Sequence, residues 1–392
     1  MRFLGILCFL IGPAMLAAAE DYSTTISRIV NSNPSVKTLA ARTEADIQEN
    51  HTGLNLANPE LELSYQWGSP AEVPDKKTID LSQSFDFATL SGGKRRVAEA
   101  KDAVAKSALD AARRDVAAEA DMIMTEIVFR SRIALHYDSA LNLLHRTLDA
   151  AELAFEKQEM TIIDVNSVKM ELSALEAEAT INNIDLASLK ARLSSLAGGT
   201  TLDWRPDQYF SYELPLDFAD WCRQAANSSP EVAAARAELS LADREISLRK
   251  SENLPSFSLG YTSELVTDAN YYGATLGVEL PLWANAGRVK AARAARSAAQ
   301  LSIDNAILDF SLSQRALYDK AISLRKLDDT ARRLFKESDI HLALYRLYSE
   351  GQLSSHDYLS QLQPLLQLQR RAFEAEFEYQ KALAEFRAAT IR

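Results

Sequence analysis

Two stretches, 94–157 and 288–348, carry strong helix formers with no proline in either, and this constrains the chain more than anything else in it. At about 1.5 Å per residue, each would be a rod of roughly 90–95 Å. Alanine recurs along both, at Ala98, Ala100, Ala103 and Ala105, then at Ala291, Ala292, Ala294 and Ala295. It has the best helix propensity and lets neighbouring helices approach closely. Rods of that length exceed any single globular core, so they must pack side by side in a coiled-coil arrangement. Helices at 162–196 and 355–390 return along them for only about 50 Å. They cover half of each rod, and shorter helices at 34–56 and 230–252 can fill the other half.

Between these helices the hydrophobic period changes from 3.6 to 2. In 60–67 the odd positions Leu61, Leu63, Tyr65 and Trp67 are apolar, and the even ones, Glu60 and Glu62 among them, are polar. In 78–87, Ile79, Leu81, Phe85 and Phe87 oppose Asp80 and Asp86. In 256–264, Phe257, Leu259 and Tyr261 alternate with polar or small residues as far as Glu264; in 271–282, Leu276, Val278 and Leu280 oppose Glu279. These read as four half-apolar strands. Each is near the length that crosses a bilayer at a tilt. A soluble sheet with one face on a core would alternate in the same way. Here the surrounding segments are long helices, and no separate layer is left for a sheet to pack on. Aromatic residues also gather at both strand ends, as in the belts of a lipid-facing surface. The expectation is therefore a membrane sheet.

The punctuation repeats. Asn33-Pro34 and Ser229-Pro230 open helices 196 residues apart, and Asn58-Pro59 and Leu254-Pro255 close them at the same spacing. Gly92-Gly93 corresponds to Gly287, and Asp164 to Asp357. This predicts an internal duplication, with a first repeat at 20–198, a linker or equatorial segment at 199–216 and a second repeat at 217–392. Ahead of it, Met1-Arg2, an apolar run from Phe3 to Leu16 and Ala17-Ala18-Ala19 follow the plan of a secretory signal peptide at 1–19. Cleavage would leave Cys222 without a partner, so a disulfide framework is excluded. With 43 Lys+Arg against 54 Asp+Glu, the acidic balance argues against nucleic acid as a partner.

Four strands cannot close a barrel, since about eight is the practical minimum. Open edges in lipid would cost several kcal/mol per unpaired backbone group. Chains must therefore share one barrel, and two, three or four copies would all satisfy the count.

The duplicated helix–hairpin–long-helix–helix unit, Asn58-Pro59-Glu60-Leu61-Glu62, Gly92-Gly93-Lys94-Arg95 and the run Gly351-Gln352-Leu353-Ser354-Ser355-His356-Asp357-Tyr358-Leu359 resemble the TolC-like outer-membrane efflux family. The likeness covers about 21–390 and is strongest to the members that accompany cation-efflux pumps, the CzcC and CusC types. It implies a mixed α and β membrane protein: a homotrimer with a shared twelve-stranded transmembrane β-barrel above a long α-helical coiled-coil barrel. It places the chain in the outer membrane of a Gram-negative bacterium, extending into the periplasm. It implies a periplasmic adaptor (a membrane fusion protein) and an inner-membrane pump, expected to be of the RND type, as partners. The second tip turn carries Gly351, whereas the first has Glu159 in the matching region.

On this reading the tip residues Thr161, Gly351, Gln352, Leu353 and Ser354 are candidates for adaptor docking. Asp164, Asp357, Glu159 and Glu350 are candidate acids at the periplasmic entrance. Thr161-x-x-Asp164 and Ser354-x-x-Asp357 also read as capping boxes, and that simpler role is favoured. Glu60, Glu62, Asp80, Asp86, Glu264 and Glu279 are expected to line the barrel lumen with no Lys or Arg among them, which predicts cation selectivity. Leu61, Leu63, Tyr65, Trp67, Ile79, Leu81, Phe85, Phe87, Phe257, Leu259, Tyr261, Leu276, Val278 and Leu280 are expected to face lipid. Lys94, Arg95, Arg96 and Arg288 sit unfavourably at helix N-termini, and either phospholipid headgroups of the inner leaflet or ordinary solvation would compensate them.

No catalytic constellation, metal-ligand spacing or cofactor motif is present, so no enzymatic role is expected. The function expected is a passive exit duct of a tripartite efflux system, carrying metal cations or drugs. Alternatives are the exit duct of a type I protein-secretion system and a non-pore periplasmic coiled-coil scaffold or adaptor.

Overall fold

The computed structural model describes residues 21–70, 73–267, 269–336 and 340–390. The expected signal peptide lies outside the described residues. The elements run α1 (Tyr22–Ser32), α2 (Pro34–Asn50), β1 (Glu60–Gln66), β2 (Lys76–Phe85), α3 (Phe87–Leu90), α4 (Gly93–Glu156), α5 (Ile162–Leu196), α6 (Phe218–Ser228), α7 (Pro230–Ser251), β3 (Ser256–Val266), β4 (Ala269–Glu279), α8 (Arg288–Lys336), α9 (Ile340–Ser349) and α10 (Ser355–Arg387). The expected helix 288–348 is thus described as α8 and α9, and 337–339 lie outside the described residues.

Two prolines set helix starts as their fixed φ demands. Pro34 and Pro230 each occupy the first helical turn, behind Asn33 and Ser229. Asn33 accepts the Val36 N–H at 3.0 Å through Oδ1. The first short helix ends at Asn50, earlier than the expected 56, because α2 is tied down there. Asn50 Nδ2 and His51 Nε2 lie 2.9 and 2.7 Å from the two oxygens of Asp102 on α4. Burial works against the Asp102 carboxylate, but Asn50 and His51 outweigh it and hold its pKa below the ordinary value.

The long helix α4 runs through the whole helical region. Near the sheet the helices pack side by side in the order α2, α4, α7, α8; at the far end the order is α5, α4, α10, then α8 and α9. The far-end core joins Ile133, Tyr137 and Leu144 of α4 to Leu172 and Leu175 of α5 and to Tyr358 and Leu362 of α10. Along α5 the packed residues Val165, Val168, Leu172, Leu175, Ala179 and Asn182 recur at alternating steps of three and four, which keeps one seam on α4. Midway, α1 and the 199–216 strap sit on α4, with Tyr22, Ile26, Ile29, Trp204 and Phe210 over Ala117, Ala120 and Met124. A buried ion pair crosses this level: Arg387 Nε and Nη2 donate to Asp121 Oδ2 and Oδ1 at 2.7 and 2.6 Å, and the Tyr22 hydroxyl donates to Oδ1 at 2.6 Å.

The four strands form one antiparallel sheet in the order β1-β2-β3-β4. Its register aligns Leu61, Leu81, Tyr261 and Ala274 in one row, and Leu63, Ile79, Ser263 and Tyr272 in the next. β1 and β4 each keep one edge without a strand partner among the described residues.

Candidate functional site

The sheet has two chemically distinct faces, and its register assembles both from all four strands. One face presents Leu61, Leu63, Tyr65, Ile79, Leu81, Phe85, Phe257, Leu259, Tyr261, Leu276 and Val278. Apart from the half-buried Phe85, these side chains are largely uncovered by the described residues; Leu63 is 69% exposed and Leu276 74%. An apolar face this large left open on all strands is what a partner or lipid must cover. Trp67 lies just past the end of β1, exposed, with its ring edge-on to Tyr65 at 5.3 Å. Leu280 lies one residue beyond β4 and is also exposed. Phe87 is not a strand residue: it opens α3, with its ring 6.2 Å from that of Phe257.

The opposite face carries Glu60, Glu62, Asp80 and Glu264, and Glu62 stands directly across from Asp80. Glu279 ends β4, where its carboxylate accepts from the Ser256 hydroxyl at 3.1 Å. Two expectations about this face are corrected. Asp86 is not on it: the strand ends at Phe85, and Asp86 caps α3 by accepting the Thr89 N–H at 2.7 Å. The face is also not free of cations. β2 begins at Lys76 rather than at residue 78, which puts Lys76 on the acidic face, with its Nζ 2.7 Å from Glu264 Oε1.

The basic residues at the helix starts are compensated within the chain rather than requiring headgroups. Lys94 pairs with Asp86 at 3.3 Å, Arg288 reaches Glu252 at 3.7 Å, and Arg96 donates to the Ser91 carbonyl at 2.8 Å. Arg95 pairs with Glu99 one turn along its own helix.

At the far end, both helical turns are built alike. Gln158 and Gly351 each take a left-handed φ, +61° and +72°. The following N–H of Glu159 or Gln352 bonds back to Ala154 or Leu347 at 2.9 Å, and the Gln158 and Gly351 N–H groups bond to Phe155 and Tyr348. Both are Schellman ends. The residue matching Gly351 is therefore Gln158, not Glu159. Asp164 closes a capping box with Thr161: its Oδ2 accepts from the Thr161 hydroxyl at 2.6 Å and from the Thr161 N–H at 3.1 Å. Asp357 accepts the Ser354 hydroxyl at 2.6 Å and donates its own N–H back to it at 3.1 Å. Glu350 accepts from Gln352 at 3.2 Å, and Leu353 packs against the far-end core. Glu159 is exposed. The two capping acids are thus engaged with their own helix starts.

The edge helices carry exposed apolar rows. On α8, Leu301, Leu308 and Leu312 are 68%, 53% and 60% exposed; on α5, Met170, Ile181 and Ile184 are 67%, 59% and 63% exposed. These are edge positions of the helical layers, and sequence periodicity did not single them out, because each helix carries a second apolar seam that its neighbour buries. Among the described residues no group of His, Cys, Asp and Glu is placed to hold a metal ion, and no helix is long and apolar enough to cross a membrane.

A layer of helices with two orders of packing, capped by one four-stranded sheet with an open apolar face, is the subunit fold of solved TolC-like outer-membrane channels, and this chain shares that fold. It superposes on CusC, whose structures describe folding and transmembrane channel formation, with a TM-score of 0.73 at 16% identity over 93% of this chain and 91% of that one. It superposes on the outer-membrane protein VceC of Vibrio cholerae with a TM-score of 0.71 at 16% identity, over 93% and 95% of the two chains. In sequence it is similar to the cobalt-zinc-cadmium resistance protein CzcC of Cupriavidus metallidurans, 24% identical over 233 residues. That match takes in 58% of this chain and spans about half, 54%, of the relative. No family model matches the chain.

Proposed function

We propose that this protein is the outer-membrane exit duct of a tripartite efflux system. The observation that carries the reading is the sheet: one apolar face in register across all four strands, and one edge each of β1 and β4 without a strand partner among the described residues. Three copies would close twelve strands into a barrel. The same closure would join the α5 and α2 edges of one subunit's helical layers to the α8 edge of the next, covering the exposed rows. The two halves of each chain, alike in order of elements and in the build of their tips, would be products of a duplication.

The duct does no chemistry. It encloses a water path past lipid, and its acids Glu60, Glu62, Asp80, Glu264 and Glu279 bias that path towards cations. Glu159, Glu350 and the tip residues Thr161, Gly351, Gln352, Leu353 and Ser354 would meet a periplasmic adaptor, and through it an inner-membrane pump of the RND type. Metal cations are the favoured cargo, supported by the likeness to CzcC and by the acidic strand face; drugs are the competing class. The test is reconstitution in a planar bilayer with cross-linking of the same sample. Trimers with ohmic conductance and a cation-selective reversal potential are expected. A detergent-independent, non-conducting monomer would refute the reading and favour a periplasmic scaffold.

A further inference from the structure

The apolar face of the sheet carries a charge at its rim. The register puts Lys77 in the row Tyr65, Lys77, Leu265, Asn270, the last row of that face before the hairpin loops. Among the described strand residues no other Lys, Arg, Asp or Glu stands on this face. On a lipid-facing strand a lysine is costly at the bilayer midplane and nearly free at the interface. From the Phe85 row to the Lys77 row, a strand tilted by about 40° climbs roughly 20 Å, close to the apolar band of about 25 Å that a barrel turns to lipid. Lys77 therefore stands where hydrocarbon gives way to headgroups.

The ammonium is held in place and still has donors to give. Its Nζ lies over the Tyr65 ring, 5.7 Å from the centroid. That ring is itself fixed, because the Tyr65 hydroxyl donates to Asp75 Oδ2 while Asp75 Oδ1 accepts the Gly68 N–H at 3.0 Å. The nearby carboxylate is thus taken up by the loop, and no ion pair of Lys77 is found among the described residues. Trp67, 81% exposed and edge-on to Tyr65, extends an aromatic shelf beside the cation. Asn270 is exposed in the same row two strands away, about 9–10 Å across the sheet. Two donors at that separation, with Leu265 between them, exceed the reach of one phosphate group and suit a phosphorylated disaccharide. The open ring of Trp67 offers a surface on which a sugar can lie.

We propose that this rim binds the headgroup of a phosphorylated glycolipid in the outward-facing leaflet. Lys77 pairs with a phosphate, Asn270 donates to a phosphate or sugar oxygen, and Trp67 packs on a sugar ring. The site rests on the exit-duct reading, which puts the helices in the periplasm and the hairpin loops outside. Aromatic and cationic side chains at headgroup level anchor a membrane protein at one depth. Here they tie β1, β2 and β4 of each subunit to the surrounding lipid.

The experiment uses the delipidated full chain in detergent, titrated with diphosphoryl lipid A and, separately, with phosphatidylglycerol, and read by native mass spectrometry. Lipid A should be retained in preference to phosphatidylglycerol. Lys77→Gln should weaken lipid A by about fivefold, and Lys77→Arg should keep it. Lys37→Gln, which removes the same charge from an exposed position on α2, should leave it unchanged. Lys77 is exposed, so its variants test the contact without disturbing the core. Equal affinity in Lys77→Gln, or equal retention of the two lipids, would overturn the proposal. Conductance of the same sample in a planar bilayer separates the two readings. A conducting pore without lipid preference removes the glycolipid site and keeps the duct. Lipid A held through Lys77 without any pore removes the duct and keeps the contact.

Discussion

Lys76 Nζ lies 2.7 Å from Glu264 Oε1, joining β2 to β3 on the acidic face of the sheet. The pair sits two residues from the place where Glu62 opposes Asp80 with no cation between them in the register. The face is therefore not uniformly acidic along its length. It is neutralised near the loop end and negative further in.

This sets opposite expectations for two single substitutions. Lys76→Gln removes the one cation that the described strand residues place on this face and leaves Glu264 unpaired, so cation preference should rise. Glu264→Gln leaves Lys76 unpaired, so preference should fall by a comparable amount. If this face lines the proposed duct, each changes about one charge per chain in a narrow path where one sign of charge focuses the field. Reversal potentials under a salt gradient would measure both. Shifts of the same sign in the two variants would show that neither side chain borders the ion path.

The Arg387–Asp121 pair is a stability element. The two side chains are 4% and 1% exposed. Asp121→Asn should cost about 3–5 kcal/mol, because the guanidinium is left buried without its counter-charge. An Asp121→Leu, Arg387→Leu double variant should lose less than either single change. Thermal melts followed by helical circular dichroism would show the difference. A double variant melting below both singles would mean that the pair stabilises through its geometry rather than by mutual neutralisation.

The two tips differ in one residue at a matched position. Gln158 holds a left-handed φ that Gly351 adopts without penalty. Gln158→Gly should stabilise the first turn by about 1 kcal/mol, and Gly351→Ala should destabilise the second by a similar amount. Thr161→Ala, which removes the capping hydroxyl, should cost about 1 kcal/mol. Amide exchange at the start of α5 would report the cap loss locally, where a global melt would dilute it.

Acid should loosen the contact between α4 and α7. Burial alone would raise the Glu231 carboxyl, but hydrogen bonds from Arg114 and Ser229 bring it down from 4.5 to about 2. A depressed carboxylate adds stability that is complete above the unfolded value and is lost as pH falls through the folded one. The loss should therefore fall between about pH 4.5 and 2. Glu231→Gln should flatten that part of the stability profile while lowering the plateau at neutral pH. An unchanged acid limb would refute the assignment.

The faces of the strands were legible in the sequence because alternation survives any error at the ends. Leu61, Leu81 and Tyr261 fall in one row whether β2 starts at Lys76 or two residues later. The ends were not legible for the same reason. A period of two carries no mark of where hydrogen bonding stops, so Asp86 read as a strand acid when its carboxylate had turned to cap α3. Helix starts were easier, since Pro34 and Pro230 allow little else. The Arg387–Asp121 pair has no local signal: the partners stand 266 positions apart and meet only through the packing of α10 on α4.

The unpartnered edges of β1 and β4 bear on how such an object can be made at all. If the chain builds the proposed barrel, any incomplete ring presents raw backbone to hydrocarbon, so intermediates of assembly should be scarce, and closure should be nearly simultaneous with entry into the bilayer. Once sealed, a ring should not trade members. Differently tagged versions would then mix when synthesised together and stay segregated when combined afterwards.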